Sequence, residues 1–250
     1  MKTISLGIGA LLLTASTAMA TGPVVTPQYP VVVTPPAAPS WAGFYAGGSL
    51  GVGSANYDLG GRYTNLAPVD IALNLPDLGG QGGLFALQGG YNFQLSSRWV
   101  AGVQLDATVT NIANDTSLSV AIGANTLNAS YDLTVRSMYT LGGRIGYLTS
   151  PDTLVYGLLG VSRGNFEGSY AADINGTPLV NGSYDFSLNG AAVGVGVETR
   201  LSDRTTLGLE YRYNHMERYS FYDGPALGGN LEVGFDTAVH TVRAMVNVHF

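Results

Sequence analysis

Residues 99–109 read Trp99-Val100-Ala101-Gly102-Val103-Gln104-Leu105-Asp106-Ala107-Thr108-Val109. On an extended chain, Trp99, Ala101, Val103, Leu105, Ala107 and Val109 share one face, and Gly102, Gln104, Asp106 and Thr108 the other. A period of two marks a strand with unlike sides. The same split recurs along the chain. Ala42, Phe44, Ala46, Leu50 and Val52 oppose Gly43, Tyr45, Gly47, Ser49 and Gly51; Phe85, Leu87, Tyr91 and Phe93 oppose Ala86, Gln88, Asn92 and Gln94. Leu133, Val135, Tyr139, Leu141, Ile145 and Tyr147 oppose Asp132, Thr134, Arg136, Thr140 and Arg144. Further on, Ala191, Val193, Val195 and Val197 oppose Gly190, Ala192, Gly194, Gly196 and Glu198, and Leu207, Leu209, Tyr211 and Tyr213 oppose Gly208, Glu210 and Arg212. Val242, Ala244, Val246, Val248 and Phe250 oppose Thr241, Arg243, Asn247 and His249. Residues 154–164 are apolar or small on both faces, so no orientation follows there.

Alternation alone does not say which face is inside, since a soluble sandwich would bury the apolar set. Three features turn the apolar face outward. The polar face mixes Gly and Ala with Arg and a few carboxylates, which suits a narrow interior where charges pair. Aromatic residues recur where the apolar faces approach short turns, at Trp41, Phe44, Phe93, Trp99, Tyr147, Tyr156 and Phe250, as a membrane-interface girdle requires. The connections alternate in length: 94–98, 148–153 and 200–204 are tight, whereas 54–82, 111–130, 165–185 and 215–234 are long. The expectation is an all-β protein, an eight-stranded antiparallel up-and-down transmembrane β-barrel with short periplasmic turns and long extracellular loops. Ten strands remain open if the first long loop hides a hairpin around Ile71 to Leu75. Closure is required because an open sheet edge in hydrocarbon leaves N–H and C=O groups unpaired.

Composition agrees. Of 250 residues only 11% are charged, against about 25% in a typical soluble domain. Cys is absent, which excludes disulfides, thiolate metal sites and a lipid-modified N-terminal Cys. The only lysine is Lys2, which excludes phosphate loops and Schiff-base chemistry in a mature protein. Met1-Lys2, the apolar run Ile4 to Leu13 and the ending Ala18-Met19-Ala20 predict a secretory signal over 1–20, cleaved after Ala20. Its removal leaves arginines alone to face 17 carboxylates, so nucleic acid is not an expected partner. Residues 21–40 carry Pro23, Pro27, Pro30, Pro35, Pro36 and Pro39 and read as a Pro-rich linker. The barrel then occupies 41–250.

The order of motifs carries a resemblance. Trp41-Ala42-Gly43-Phe44-Tyr45-Ala46-Gly47-Gly48 follows the Pro-rich stretch, Gly89-Gly90-Tyr91-Asn92 closes a strand, and Arg144-Ile145-Gly146-Tyr147 precedes a turn. Gly194-Val195-Gly196-Val197-Glu198 is followed by Leu209-Glu210-Tyr211-Arg212-Tyr213, and the chain ends in Phe250. Over 41–250 this resembles the small outer-membrane β-barrel family of alphaproteobacterial outer-membrane immunogenic and opacity-like proteins. The resemblance implies an OmpA-like barrel of the bacterial outer membrane, a surface antigen of the cell envelope often grouped as a porin family. Residues 21–40 and the long loops depart most from that pattern, so functions borne by loops do not transfer.

Eight strands enclose an interior just wide enough for side chains, whereas water-filled porins need about 16 to 18. The expected lumen cluster is Gln104, Asp106, Arg136, Arg144, Glu198, Glu210, Arg212 and Arg243, with Gln88 and Asn247 beside it and Asp132 near the outer rim. All its cations are Arg, whose planar fork suits bidentate pairing with carboxylates. Two Gly-x-Ser-x-Gly strings, 47–51 and 160–164, sit within strands and lack the strand-turn-helix setting of a nucleophile. His215, Glu217 and Ser220 read as a rim loop, although a lipid-active enzyme would place residues there. Three scattered His make a metal site unexpected, and no cofactor is expected. The leading reading is a non-enzymatic barrel with a structural and surface-interaction role, followed by a narrow porin and then a lipid-active enzyme. Expected partners are outer-membrane lipid and lipopolysaccharide, with host or surface ligands reached through the loops, and the barrel is expected to be a monomer.

Overall fold

In the computed structural model the chain divides into two units, Met1–Ala37 and Ala38–Phe250. Residues 40–64, 71–226 and 229–250 are described. The expected signal and all of the Pro-rich segment but Ser40 lie outside the described residues. The described chain is eight strands: β1 (Gly43–Thr64), β2 (Ile71–Gln94), β3 (Trp99–Ile122), β4 (Asn125–Ser150), β5 (Thr153–Ile174), β6 (Thr177–Arg200), β7 (Thr205–Ala226) and β8 (Gly229–His249). Each is antiparallel to its sequence neighbours, and β1 pairs with β8, so the ring is closed. The stretch around Ile71 to Leu75 opens β2 against β1, with Tyr63 opposite Ile71, and adds no further hairpin.

The long connections expected as loops are instead continued strand. β3 and β4 stay paired as far as Ile122 and Asn125, and β5 and β6 as far as Ile174 and Thr177. Pairing satisfies the backbone donors and acceptors that each strand turns toward its hairpin partner. The β5–β6 hairpin turns at Asn175-Gly176, where φ is 51° and 81°, the positive values a tight two-residue hairpin turn needs. Crossing hydrocarbon takes only about 9–11 residues per strand, while these strands run from 21 to 26. Roughly half of each therefore projects beyond the membrane on the side of the long hairpins.

In that projection the ring divides. The β2–β3 ladder reaches Gln81 opposite Ala113, and the β6–β7 ladder reaches Gly190 opposite Met216. The other ladders continue outward, so two four-stranded sheets rise above the barrel, β7-β8-β1-β2 and β3-β4-β5-β6.

The sense of the two faces reverses at the same height. In the barrel Leu50, Leu87, Leu105, Leu141, Leu159, Val195 and Leu209 are exposed, while Gln88, Asp106, Arg144, Glu198, Glu210, Arg212 and Arg243 are buried. Above it Tyr57, Leu133, Val135, Phe166, Leu188 and Phe235 pack inward with Ile112, Met138, Met216 and Val239. This corrects the sequence reading of Leu133, Val135 and Arg136. Val135 lies opposite Phe166 and Ser137 opposite Asn165, so Arg136 is one residue too many, a β-bulge that flips the side-chain parity of β4. Leu133 and Val135 are thereby turned inward, and Arg136 leaves the expected lumen set with its side chain 59% exposed. Such a wall has hydrocarbon outside its lower half and water outside its upper half.

Candidate functional site

Seven of the eight expected lumen residues meet at the middle of the barrel. Arg144 on β4 donates from Nη1 to Glu198 Oε1 on β6 at 2.7 Å and from Nε to Asn92 Oδ1 at 3.0 Å. Arg212 on β7 reaches Asp106 Oδ2 on β3 at 2.5 Å and Glu210 Oε1 at 2.8 Å. Arg243 on β8 joins the same two carboxylates, Asp106 Oδ1 at 3.2 Å and Glu210 Oε1 at 2.8 Å. Asp106 and Glu210 each serve both Arg212 and Arg243, so these four side chains form one connected network. Gln104, with its amide turned to satisfy its neighbours, accepts from Arg212 and Arg243 and donates to the Tyr45 hydroxyl. In this layer three guanidinium groups, of Arg144, Arg212 and Arg243, meet three carboxylates, of Asp106, Glu198 and Glu210, so the buried charges cancel. Cancellation matters because an unpaired ion out of water costs several kcal/mol. Gln88 Nε2 donates to Asn247 Oδ1 at 2.9 Å within the same interior.

Two tyrosines outside the expected lumen cluster, Tyr45 and Tyr156, complete the layer. The Tyr156 hydroxyl donates to Glu210 Oε2 at 2.7 Å. The Arg144 guanidinium lies over the rings of Tyr45 and Tyr156, at 4.4 and 5.1 Å from their centroids, adding cation–π attraction to its ion pair. Small residues on facing strands make room. A Cβ on Gly196 would stand 2.5 Å from the Tyr156 ring, and one on Gly90 2.5 Å from the Tyr45 hydroxyl. Tyr45 shares its face with Gly43 and Gly47, so its inward aim was legible.

Apolar side chains lie on both sides of the charged layer. On the short-turn side Trp41, Val100, Leu148, Leu154 and Tyr156 form one cluster. Trp41 Nε1 donates to the Pro151 carbonyl at 3.0 Å, and its ring meets His249 edge-on at 5.8 Å. Trp41 and Tyr156, expected at the membrane interface, are therefore interior residues. Trp41 shares the odd-numbered parity of Tyr45, and Tyr156 shares the inward parity of Leu154 and Leu158. Phe44, Phe93, Trp99 and Phe250 do point outward, Tyr147 is half-buried, and Trp99 packs edge-on against Tyr147 at 5.3 Å.

On the opposite side the two sheets close over an aromatic cluster. Phe186 of one sheet stacks on Phe166 at 5.2 Å and crosses to Tyr219 at 4.5 Å and Phe235 at 5.8 Å on the other. Tyr57 meets Phe235 edge-on. Tyr57, Phe166 and Tyr219 fall within stretches expected as loops, and Phe186 and Phe235 stand directly after two of them.

The remaining expected residues lie apart. Arg136 pairs with Glu167 on the outer wall. Asp132 accepts from Ser169 at 3.3 Å. His215 stacks on Tyr213, and the Ser220 hydroxyl donates to Glu232 at 3.0 Å, so no bond joins Ser220 to His215. Ser49 and Ser162 of the two Gly-x-Ser-x-Gly strings are buried within β1 and β5.

Comparison with known proteins gives a consistent result. The family described as "Outer membrane protein beta-barrel domain" matches residues 8–250. A 31 kDa outer-membrane immunogenic protein of Brucella melitensis is 25% identical over 228 residues, covering 88% of this chain and 91% of that one. Among solved structures, the outer membrane protein OprG of Pseudomonas aeruginosa is similar at 17% identity over 84% of this chain and 97% of that one, with a TM-score of 0.46. The attachment invasion locus protein of Yersinia pestis, solved with the heparin analogue sucrose octasulfate, is similar at 14% identity over 83% of this chain and 99% of that one, with a TM-score of 0.40.

Proposed function

The chain belongs to the outer membrane protein β-barrel domain family, and from that premise we propose that it is a non-enzymatic, closed barrel with a structural role in the envelope. The lipid-facing belt anchors it, the charged layer locks the ring, and the two sheets present a surface outside the cell. One chain closes its own sheet, which supports a monomer. The lipid around it, lipopolysaccharide included, is its first partner, and surface ligands would meet the projecting sheets.

The observation that carries this reading is the filled lumen: a neutral, cross-linked charged layer between two apolar clusters. A conducting path would have to break paired ions in a low dielectric and pass aromatic side chains. One observation favours a narrow leak as the second reading. Ser162, Asn214 and Thr237 are buried with side-chain atoms that have no protein partner, the setting in which interior water is found. Single-channel recording in a planar bilayer separates the two. A closed barrel gives no reproducible steps above the bare bilayer, and discrete steps that change on Glu210→Ala would replace it with the leak.

A further inference from the structure

The upper edge of the lipid belt is not the same all round. Following each strand outward past the aliphatic and tyrosine residues of the belt, the first polar side chain on the outer wall is Ser54 on β1, Gln81 on β2, Asn111 on β3 and Ser137 on β4. On β5 to β8 it is Arg163, Asn189, His215 and His240. Half the rim is neutral, and the other half carries a guanidinium and two imidazoles with an amide among them. Arg163 lies opposite Tyr139 on β4 and Asn189 on β6, while His215 lies opposite Ala191. Tyr139, Leu141, Val161, Arg163, Asn189 and His215 line a depression in the outer wall, and Glu217 and Arg218, one carboxylate and one guanidinium, share its lining.

Arg163 differs from two other arginines of the outer wall, Arg136 on β4 and Arg218 on β7, in how it is held. Arg136 is paired with Glu167, and Arg218 with Glu232 and Asp236. Among the described residues no carboxylate pairs with Arg163; its one hydrogen bond is a long one, 3.5 Å from Nη1 to Asn189 Oδ1. Most of its donor fork is left for a planar or tetrahedral oxyanion. Directly toward the membrane middle stand Leu141, Val161 and Leu105, which face lipid. A cation with amide and imidazole neighbours, set above an apolar slope at the edge of the hydrocarbon, is complementary to an anionic amphiphile.

We propose that this depression is a binding site for one phosphorylated glycolipid of the outer leaflet, with Arg163 on the phosphate, Asn189 and His215 on adjoining sugar oxygens, and acyl chain along Leu141 and Val161. The inference rests on the reading of the chain as a barrel with lipid on its outer wall and gives that lipid contact a location. It does not depend on whether the lumen conducts, so the bilayer recording can fail without touching it.

The test is native mass spectrometry of the full chain, folded in detergent with purified bis-phosphorylated lipid A. Arg163→Gln is compared with Arg136→Gln, an exposed arginine of the same wall that already has a carboxylate. Wild type and Arg136→Gln should each retain one lipid A, and Arg163→Gln should lose about tenfold in occupancy, as expected when a charge-assisted bond is removed. Lipid A stripped of its phosphates should bind wild type no better than intact lipid A binds Arg163→Gln. Equal retention by both variants, equal binding of the dephosphorylated lipid, or displacement by inorganic phosphate at matched concentration would each overturn the proposal. The last outcome would mark a free-phosphate site. The heat-dependent gel mobility of each variant verifies that it is folded.

Discussion

The lower and upper halves of the interior are built from opposite materials. In the barrel the inside holds Asp106, Arg144, Glu198, Glu210, Arg212 and Arg243, and the outside holds Leu and Val. In the projecting sheets the inside holds Tyr57, Val135, Phe166 and Phe235, and the outside holds residues such as Asp58, Asp115 and Arg136. What lies outside the wall decides which material goes within. Hydrocarbon stabilises an apolar exterior and leaves polar groups to pair among themselves, whereas water drives apolar groups inward. The wall topology follows suit. A closed ring tolerates a cross-linked polar centre, and two sheets that have parted at β2/β3 and β6/β7 are held together by packing across the gap, as in a sandwich.

The contrast breaks most visibly at Glu210. Glu210→Ala leaves Arg212 and Arg243 buried with a single shared carboxylate, Asp106, and removes the bond from Tyr156. A loss of about 3–5 kcal/mol is expected for such an orphaned pair. It is read as a lower temperature for the shift from folded to unfolded gel mobility, with Glu210→Gln falling between wild type and Glu210→Ala. An unchanged transition would mean that the network does not hold the barrel. The upper half answers differently. Phe186→Ala removes the ring that bridges the two sheets and should cost about 3 kcal/mol, confined to the projection. Hydrogen exchange should quicken in 114–122 and 177–189 while the gel transition stays put; a transition lowered as far as by Glu210→Ala would make the two halves one cooperative unit.

The smallest effect is in alkali. Burial raises the Tyr57 hydroxyl above its ordinary 10.0. Burial, with a hydrogen bond to Tyr184, does the same to Tyr131. A group whose folded pKa is raised contributes stability that is complete below its unfolded value and declines as pH climbs through the folded value. The upper cluster should therefore be unaffected at neutral pH and loosen only beyond about pH 10. In ultraviolet titrations, the component lost on Tyr57→Phe or Tyr131→Phe should lie above the range of free tyrosine. A lost component centred on that range would show these rings to be open to water.

The lower half was legible because its code is binary. Period-two alternation, Gly beside Arg and Tyr, and short turns gave the ring, its orientation and the charged residues. Partner choice was not legible. That Arg212 and Arg243 share Asp106 and Glu210 depends on how far each strand is staggered against the next, which no single strand records. Trp41 and Tyr156 were misplaced because aromatic side chains near short turns suit both an interface girdle and an interior cap; the parity Trp41 shares with Tyr45 pointed to the second. For Arg136, one inserted residue reverses the sense of Leu133 and Val135 without altering composition. The upper strands keep their alternation, but its meaning inverts where lipid gives way to water, and that boundary is a property of the assembled wall.

The most direct measurement uses the absence of native cysteine. Val135→Cys and Arg136→Cys are compared for labelling by a membrane-impermeant maleimide in the folded protein in liposomes. Rapid labelling at 136 and protection at 135 is the result predicted by the bulge and by the inversion of inside and outside above the membrane. Labelling at 135 with protection at 136 would mean that the alternation runs unbroken along β4, with Arg136 facing the axis, and would contradict the account.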